Sequence, residues 1–171
     1  MIKNNFQKIE TVIPSPVGFL KLSIVEEALI GIEFLPNFRK KKQTASKSSK
    51  ANINESPAFL QQIIQALQTY FQNPQQSFQL PLQLKVTAFQ ERVLKALQKI
   101  PVGTTETYGN LAKKLKTSAR AVGNACRRNP IAIVIPCHRV VGKNNPGGFC
   151  GEKDGKMLAI KQWLLEHERE K

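Results

Sequence analysis

At 171 residues the chain has room for one large domain or two small ones. With 41% apolar and 22% charged residues it has an ordinary globular composition, and no run of about 18 apolar residues is present that would span a membrane. The formal net charge of +14 is concentrated: residues 34–54 carry six bases and no acid, residues 107–151 carry eight bases and no acid, and the remainder is neutral, a pattern that points to a polyanionic partner.

Met1 to Phe6 lack the apolar core of a secretory signal, so export is not expected. Residues 8–13, 19–25 and 29–34 are short apolar-rich runs separated by turn formers such as Pro16 and Gly18, and they predict three strands. Residues 39–56 are basic, Ser/Lys-rich and nearly devoid of large apolar side chains. They predict an exposed, mobile loop, more simply a solvated insertion than a binding element. Ser56-Pro57 supplies an N-cap and a first helical residue. Phe59, Ile63, Leu67 and Tyr70/Phe71 then recur at helical spacing until Asn73-Pro74 stops the helix. A connector follows, and a domain boundary is expected near Pro81. This gives an α/β N-terminal domain over 1–80 and a C-terminal domain over 81–171.

The second half reads mainly as helix. Thr87-Ala88-Phe89-Gln90 is a capping box, and Phe89, Val93, Leu97 and Ile100 form a core stripe. Pro101 and Gly103 end that helix. A short helix over 108–115 packs Leu111, Ala112 and Leu115, and a tight turn at Lys116-Thr117 leads to a second helix over 118–128. Asn129-Pro130 ends it. A last amphipathic helix over 155–168 carries Leu158, Trp163, Leu164 and Leu165.

The two short helices form a helix-turn-helix candidate. In the second, Ala119, Ala121, Gly123 and Ala125 are small, which lets a backbone approach a surface closely, and Arg120, Arg127 and Arg128 are interspersed. That pattern suits a narrow groove with one long side chain inserted better than base reading in the major groove. It also fits small residues packed on a core beside solvated arginines.

Ile131 to Ile135 is a short apolar run that reads as a buried strand, ended by Pro136. Cys137 therefore falls at a strand-to-turn junction, beside His138 and Arg139, a setting that favours thiolate. A packed structural cysteine satisfies the same tetrapeptide. Neighbours in an extended segment point to opposite faces, so Cys137 and His138 are not a simple contact pair unless the chain turns sharply, and a bridging water is the alternative relay for the proton. A histidine base also needs an acceptor for its other nitrogen, for which Glu166, Glu168 and Glu170 are candidates. Arg139 is expected on a DNA-facing surface.

Zinc held by Cys126, Cys137, His138 and Cys150 is the main competing chemistry, but CxxC and HxxxH spacings are missing. Asp154 is the one aspartate, so carboxylate metal sites are hard to assemble. A cysteine protease would leave the basic field unexplained. Three widely spaced cysteines fit a reduced, cytoplasmic protein better than a disulfide framework. Cys126 is expected on the inner helix face with Ala119 and Val122. Cys150 sits in the glycine-rich loop Gly147-Gly148-Phe149-Cys150-Gly151, either as a reactive thiol or as the small residue that loop needs.

Taken in order, these residues resemble the O6-alkylguanine-DNA alkyltransferases, the methylated-DNA–protein-cysteine methyltransferases. The resemblance rests on Phe89-Gln90, Ile100-Pro101-x-Gly103-x-Thr105-x-Thr107-Tyr108-Gly109, Ala119-Arg120-Ala121-Val122-Gly123, Asn129-Pro130, Ile135-Pro136-Cys137-His138-Arg139-Val140-Val141-Gly142 and Trp163-Leu164-Leu165-x-His167-Glu168. It spans residues 81–168, with a looser N-terminal match at Ser15-Pro16-x-Gly18 and Leu29-Ile30-Gly31-Ile32-x-Phe34.

The resemblance implies a small β-sheet plus helix, then a mainly α domain with a winged-helix-like helix-turn-helix. It implies stoichiometric, irreversible transfer of an alkyl group from flipped-out O6-alkylguanine, with O4-alkylthymine as a further candidate, to Cys137. Glu168 would orient His138, which would draw the Cys137 proton through water. Asn129 would brace the turn, and Tyr108 would donate to the leaving guanine. Arg120 would replace the extruded nucleotide while Ala119, Ala121, Gly123 and Arg127 meet the DNA. Cys126, Val140, Phe149 and Cys150 would line the pocket. Phe149 stands where many relatives have tyrosine, and Asn124 where a small residue is common. The expected partner is double-stranded DNA carrying O6-alkylguanine, met by a cytoplasmic, nucleoid-accessible monomer (nuclear in a eukaryote) with no metal, cofactor or membrane. The competing reading is a DNA-binding alkylation or redox sensor without repair.

Overall fold

Residues 8–35, 57–152 and 155–169 are described in the computed structural model, and the chain divides into two units that part between Gln83 and Leu84. The basic segment 39–56 and the expected cap Ser56 lie outside the described residues.

In the first unit, β1 (Ile9–Ser15), β2 (Gly18–Val25) and β3 (Ala28–Leu35) form an antiparallel meander in chain order. Alternation along β2 buries Leu20, Leu22 and Ile24 and leaves Lys21 and Ser23 on the wetter face. Gly18 takes φ 108 at the first hairpin. The second hairpin turns through Glu26 and Glu27, both at positive φ, a primed turn without the usual Asn-Gly signal. Helix α1 (Ala58–Gln72) buries Leu60, Ile63, Ile64, Leu67 and Tyr70. The expected face is thus rotated: Phe59 and Phe71 are half-buried, because Leu60 and Ile64 complete a tighter stripe with Ile63 and Leu67. The connector closes on β3, with Leu29 N donating to Pro81 O at 2.9 Å and Gln83 N to Leu29 O at 3.1 Å.

In the second unit, α2 (Ala88–Leu97) starts at the capping box, where Gln90 N donates to Thr87 Oγ1 at 3.3 Å and Thr87 N to Gln90 Oε1 at 3.2 Å. It buries Val93, Leu94 and Leu97, with Ile100 following, while Phe89 is half-buried under Arg92. Helix α3 (Tyr108–Lys114) is capped by Thr107 and α4 (Ala119–Arg127) by Ser118. Between them Lys116 adopts φ 51 and Thr117 N donates to Ala112 O at 3.0 Å. Leu111, Ala112, Val122, Ala125 and Cys126 are buried in this helix-turn-helix, and Leu115 is half-buried.

The two-residue strands β4 (Glu106–Thr107) and β5 (Val140–Val141) pair in parallel, which fixes the start of α3 beside the chain leaving residues 137–139. Helix α5 (Gly155–Arg169) buries Ile160, Lys161, Leu164 and Glu168, while Leu158, Trp163 and Leu165 are half-buried. Its inner face therefore carries two ionisable groups where the apolar pattern predicts only aliphatic ones.

Candidate active site

Residues 131–135 are fully buried but do not form a strand. Ile133 takes φ 76, Ala132 bridges Ile135, and Ile135 N donates to Ile131 O at 2.9 Å, so the run folds back as a tight turn. A β-branched residue in the left-handed region is strained and persists only where its surroundings over-determine it. Asn129 supplies that determination: its Nδ2 donates to Ile135 O at 2.7 Å and its Oδ1 accepts from Ile131 N at 3.1 Å. Cys137 to Arg139 then form one turn of 3-10 helix, not an extended segment, with all three residues buried.

Cys137 is 3% exposed. Burial pushes its thiol up, while the Asn129 side chain and the Lys161 charge pull the other way without cancelling it. The thiolate-favouring setting expected from the tetrapeptide is thus overturned, and Cys137 rests as a thiol. Arg139 does not favour a thiolate either, nor does it face DNA. It is buried, donates from Nε to Glu168 Oε2 and from Nη2 to Glu168 Oε1, both at 2.9 Å, and from Nη1 to Ile100 O at 2.6 Å. A planar guanidinium fork suits this bidentate clamp.

His138 Nε2 lies 2.7 Å from Glu168 Oε1. Burial alone would raise the Glu168 carboxyl, but hydrogen bonds and charge from His138 and Arg139 hold it down at about 2. An ionised carboxylate only accepts, so Nε2 carries the proton. Burial pushes His138 itself down, against the opposing pull of Glu168, so the imidazole is neutral at pH 7. Its Nδ1 is then a lone-pair nitrogen, buried and without a hydrogen-bond partner among the described residues. Gly103, at φ 73, is needed for the close fit, because a Cβ there would meet the Glu168 carbonyl oxygen at 2.9 Å.

Cys137 forms part of a cavity of about 480 Å³. Tyr108 of α3, Ala119, Arg120, Gly123, Cys126 and Arg127 of α4, and Phe149 and Cys150 of the following loop all border it, together with Asn124. His138, Glu168 and Asn129 stand behind Cys137, not on the wall. Ala121 and Val140 are also off the wall; Val140 is fully buried and its carbonyl accepts from Lys161. Ala119 is exposed at the cavity, not on the inner face with Val122 and Cys126.

The far wall is a turn in which Phe149 N and O bond Glu152 O and N at 2.8 and 2.9 Å. Cys150 and Gly151 occupy its two centres at φ 48 and 91, the backbone of a type I′ turn. Cys150 is exposed, yet its thiol is pushed up to about 12, by desolvation first and then by Cys137 and Glu152. Cys126 is also pushed up to about 12, by burial and Cys137. Both stay thiols at neutral pH. Tyr108 is likewise pushed up by burial and the nearby thiols, so its phenol remains a donor; it reaches Gly148 O at 3.4 Å. Gly147 seats it closely, since a Cβ there would lie 2.7 Å from Tyr108 Cε2.

Along α4, Arg120, Asn124 and Arg127 fall on one exposed stripe at the cavity mouth. Among the described residues no three His, Cys, Asp or Glu side chains converge on a metal position, and no helix is long and apolar enough to cross a membrane. Sequence reasoning missed two members of the site. Arg139 was assigned to the surface, and Lys161, fully buried with Nζ 2.6 Å from Val140 O and 3.0 Å from Gly148 O, was passed over. Its signal was a lysine at the i−3 position to Leu164 on the apolar stripe of α5.

Two family models match the chain. The 6-O-methylguanine DNA methyltransferase, DNA binding domain, matches residues 88–170, and the 6-O-methylguanine DNA methyltransferase, ribonuclease-like domain, matches residues 8–84. The methylated-DNA–protein-cysteine methyltransferase of Methanosarcina acetivorans is 40% identical over 156 residues, covering 90% of this chain and 94% of that protein. Its namesake from Archaeoglobus fulgidus is 39% identical over 126 residues, covering 70% and 86%. The crystal structure of Mycobacterium tuberculosis OGT in complex with DNA superposes with a TM-score of 0.74 at 35% identity, covering 94% of this chain and 92% of that one.

Proposed function

The chain belongs to the 6-O-methylguanine DNA methyltransferase family, and on that premise we propose how its own residues repair DNA by moving an alkyl group from guanine O6 to Cys137. The observation that carries the reading is the buried His138–Glu168 pair behind Cys137, with His138 Nδ1 unbonded. It supplies a base for a thiol that burial keeps protonated.

The reaction is a displacement at carbon. His138 Nδ1 takes the Cys137 proton through a bridging water. The thiolate attacks the alkyl carbon, the S–C bond forms and the C–O6 bond breaks with its electron pair remaining on guanine. Tyr108 donates a proton to the departing base, and the proton held by His138 restores the phenol. Overall, thiol plus O6-alkylguanine gives thioether plus guanine. No step regenerates the thiol, so each molecule acts once.

Because Cys137 is 3% exposed at the inner end of its cavity, a base in the duplex stack is out of its reach, and the nucleotide must be extruded. The exposed Arg120 is the side chain suited to fill the gap it leaves. Ala119 and Gly123 let α4 approach the groove, and Arg127 meets the backbone. We read the protein as a cytoplasmic monomer acting on duplex DNA. A protein that only binds damaged DNA would have no use for a buried base next to its cysteine.

The test is a titration. Increasing amounts of O6-methylguanine duplex are added to fixed protein, and restored guanine is counted. Repair that stops at one guanine per protein, and is absent in Cys137→Ser while duplex binding persists, supports the reading. Continued turnover, or full repair by Cys137→Ser, overturns it.

A further inference from the structure

The turn over 149–152 forms the far wall of the cavity, and its Phe149–Glu152 backbone bonds close it on itself without tying it to the helix opposite. Phe149 is buried, whereas Cys150, Gly151 and Glu152 are exposed, so the core holds the turn at its base and not at its tip. Each end of the loop instead meets one side chain across the cavity. A Cβ on Gly147 would strike the Tyr108 ring, and a Cβ on Gly151 would lie 3.1, 3.3 and 3.7 Å from Arg127 Nε, Cγ and Cδ. Those three atoms belong to one run of the Arg127 side chain, so its stem lies lengthwise across Gly151, at a position whose φ of 91 already favours glycine. A long cationic side chain can cover its neighbours with the stem while the charged head stays in water. Arg127 is exposed, and among the described residues no carboxylate lies within ion-pair distance of its guanidinium.

We propose that Arg127 is a specificity-determining residue for alkyl transfer: its stem props the tip of the wall turn against α4 and so fixes the width of the pocket, while its guanidinium stays at the mouth for the DNA backbone. The assignment deepens the transfer reading and rests on it. An alkyl group that reaches Cys137 has to fit between α4, which contributes Gly123, Cys126 and Arg127 to the cavity, and the turn, which contributes Phe149 to Glu152. The spacing of those two surfaces sets the largest group admitted. Close packing transmits any movement of the tip to that spacing, and removing the stem frees the tip to yield to a bulkier group. The two parts of the side chain therefore act on different quantities. The charge governs how tightly the duplex is held, and the stem governs which alkyl group is taken.

Arg127→Lys keeps stem and charge, Arg127→Met keeps an unbranched stem without the charge, and Arg127→Ala removes both. Single-turnover transfer is measured at saturating duplex from O6-methylguanine and from O6-benzylguanine, and the benzyl-to-methyl rate ratio is compared. The ratio is expected to rise about tenfold in Arg127→Ala, the scale of size discrimination by a hydrophobic pocket, and to stay within about twofold of the parent in Arg127→Met and Arg127→Lys. Duplex affinity should weaken in Arg127→Ala and Arg127→Met alike, with the salt slope reduced by about one. A DNA-free counterpart uses methyl and benzyl methanethiosulfonate, with modification of Cys137 followed by peptide mass; its benzyl-to-methyl ratio should rise in Arg127→Ala alone. Unchanged ratios in Arg127→Ala would reduce Arg127 to a phosphate contact, and equal rises in Arg127→Ala and Arg127→Met would assign the selectivity to the charge; either result overturns the proposal. A reagent ratio that rises in Arg127→Ala alone, in a protein whose parent repairs neither duplex, would support the prop and sink the transfer reading instead.

Discussion

Glu168→Gln changes one oxygen to nitrogen at the centre of the buried network. In the native protein Oε1 accepts from His138 Nε2 at 2.7 Å and Arg139 Nη2 at 2.9 Å, and Oε2 accepts from Arg139 Nε at 2.9 Å and Gly103 N at 3.5 Å. Whichever way a glutamine amide turns, its NH2 faces an N–H donor, and Arg139 is left as a buried cation without a counter-charge, held by Ile100 O and the one remaining amide oxygen. Breaking one side of a buried pair costs about 3–5 kcal/mol. At roughly 2–4 °C per kcal/mol for a chain of this length, the melting temperature should drop by about 6–20 °C. The catalytic loss is separate. Without the carboxylate, Nε2 no longer has to hold the proton, Nδ1 is protonated part of the time, and the base is disabled. General-base contributions of about 10²–10⁴ set the scale for the fall in single-turnover rate. Urea unfolding gives the first quantity and rapid-quench transfer from an O6-methylguanine duplex the second. His138→Ala combined with Glu168→Gln should be no slower than His138→Ala alone, because both act through one imidazole. A stability loss under about 1 kcal/mol with transfer within about threefold of the parent would refute the account of Glu168 as the group that fixes the tautomer.

Stability should also depend on pH through the same carboxylate. Glu168 is held down at about 2 from 4.5, so its contribution is complete above pH 4.5 and is lost as pH falls toward 2; the urea-midpoint gap between parent and Glu168→Gln should close over that window. Asn129→Ala removes both side-chain bonds to the 131–135 turn. At about 1–3 kcal/mol per buried group left unsatisfied, it should destabilise by about 2–6 kcal/mol in urea titrations and slow transfer by loosening Cys137. Gly147→Ala forces a Cβ to 2.7 Å from Tyr108 at φ 71; it should cost about 1–3 kcal/mol in stability and slow transfer. Arg120→Ala should slow transfer from duplex more than from free alkylated base, and equal slowing would remove its role in nucleotide extrusion.

Much of this architecture is legible in local sequence because the responsible forces are local. The Thr87–Gln90 capping box, the alternation of Leu20, Leu22 and Ile24, and the cap at Ser118 each depend on residues a few positions apart. The 131–135 run shows where that stops. Its apolar, β-branched composition demands burial, but no strand among the described residues pairs with it, and Asn129 converts the demand into a turn. The Glu26-Glu27 and Cys150-Gly151 turns carry no conventional turn dipeptide, so their positive φ values were invisible. The site divides in the same way. Cys137 and His138 stand out by type and adjacency, and Glu168 is one of three candidate glutamates until the family resemblance selects it, whereas Arg139 and Lys161 owe their meaning to partners 29 and 21 positions away. Lysine and arginine are mostly surface residues, so composition marks neither as buried. The resting state of Cys137 was misjudged for a related reason: its sequence neighbours suggest positive charge, yet one of them is neutral and the other is neutralised by Glu168.

The most direct measurement is peptide-resolved mass spectrometry after one incubation with an O6-methylguanine duplex. The account predicts one methyl group per protein, carried on the peptide containing Cys137 and on that sulfur, with unmodified guanine left in the DNA. Tight duplex binding with no methyl gained, or a methyl carried on Cys126 or Cys150, would contradict it.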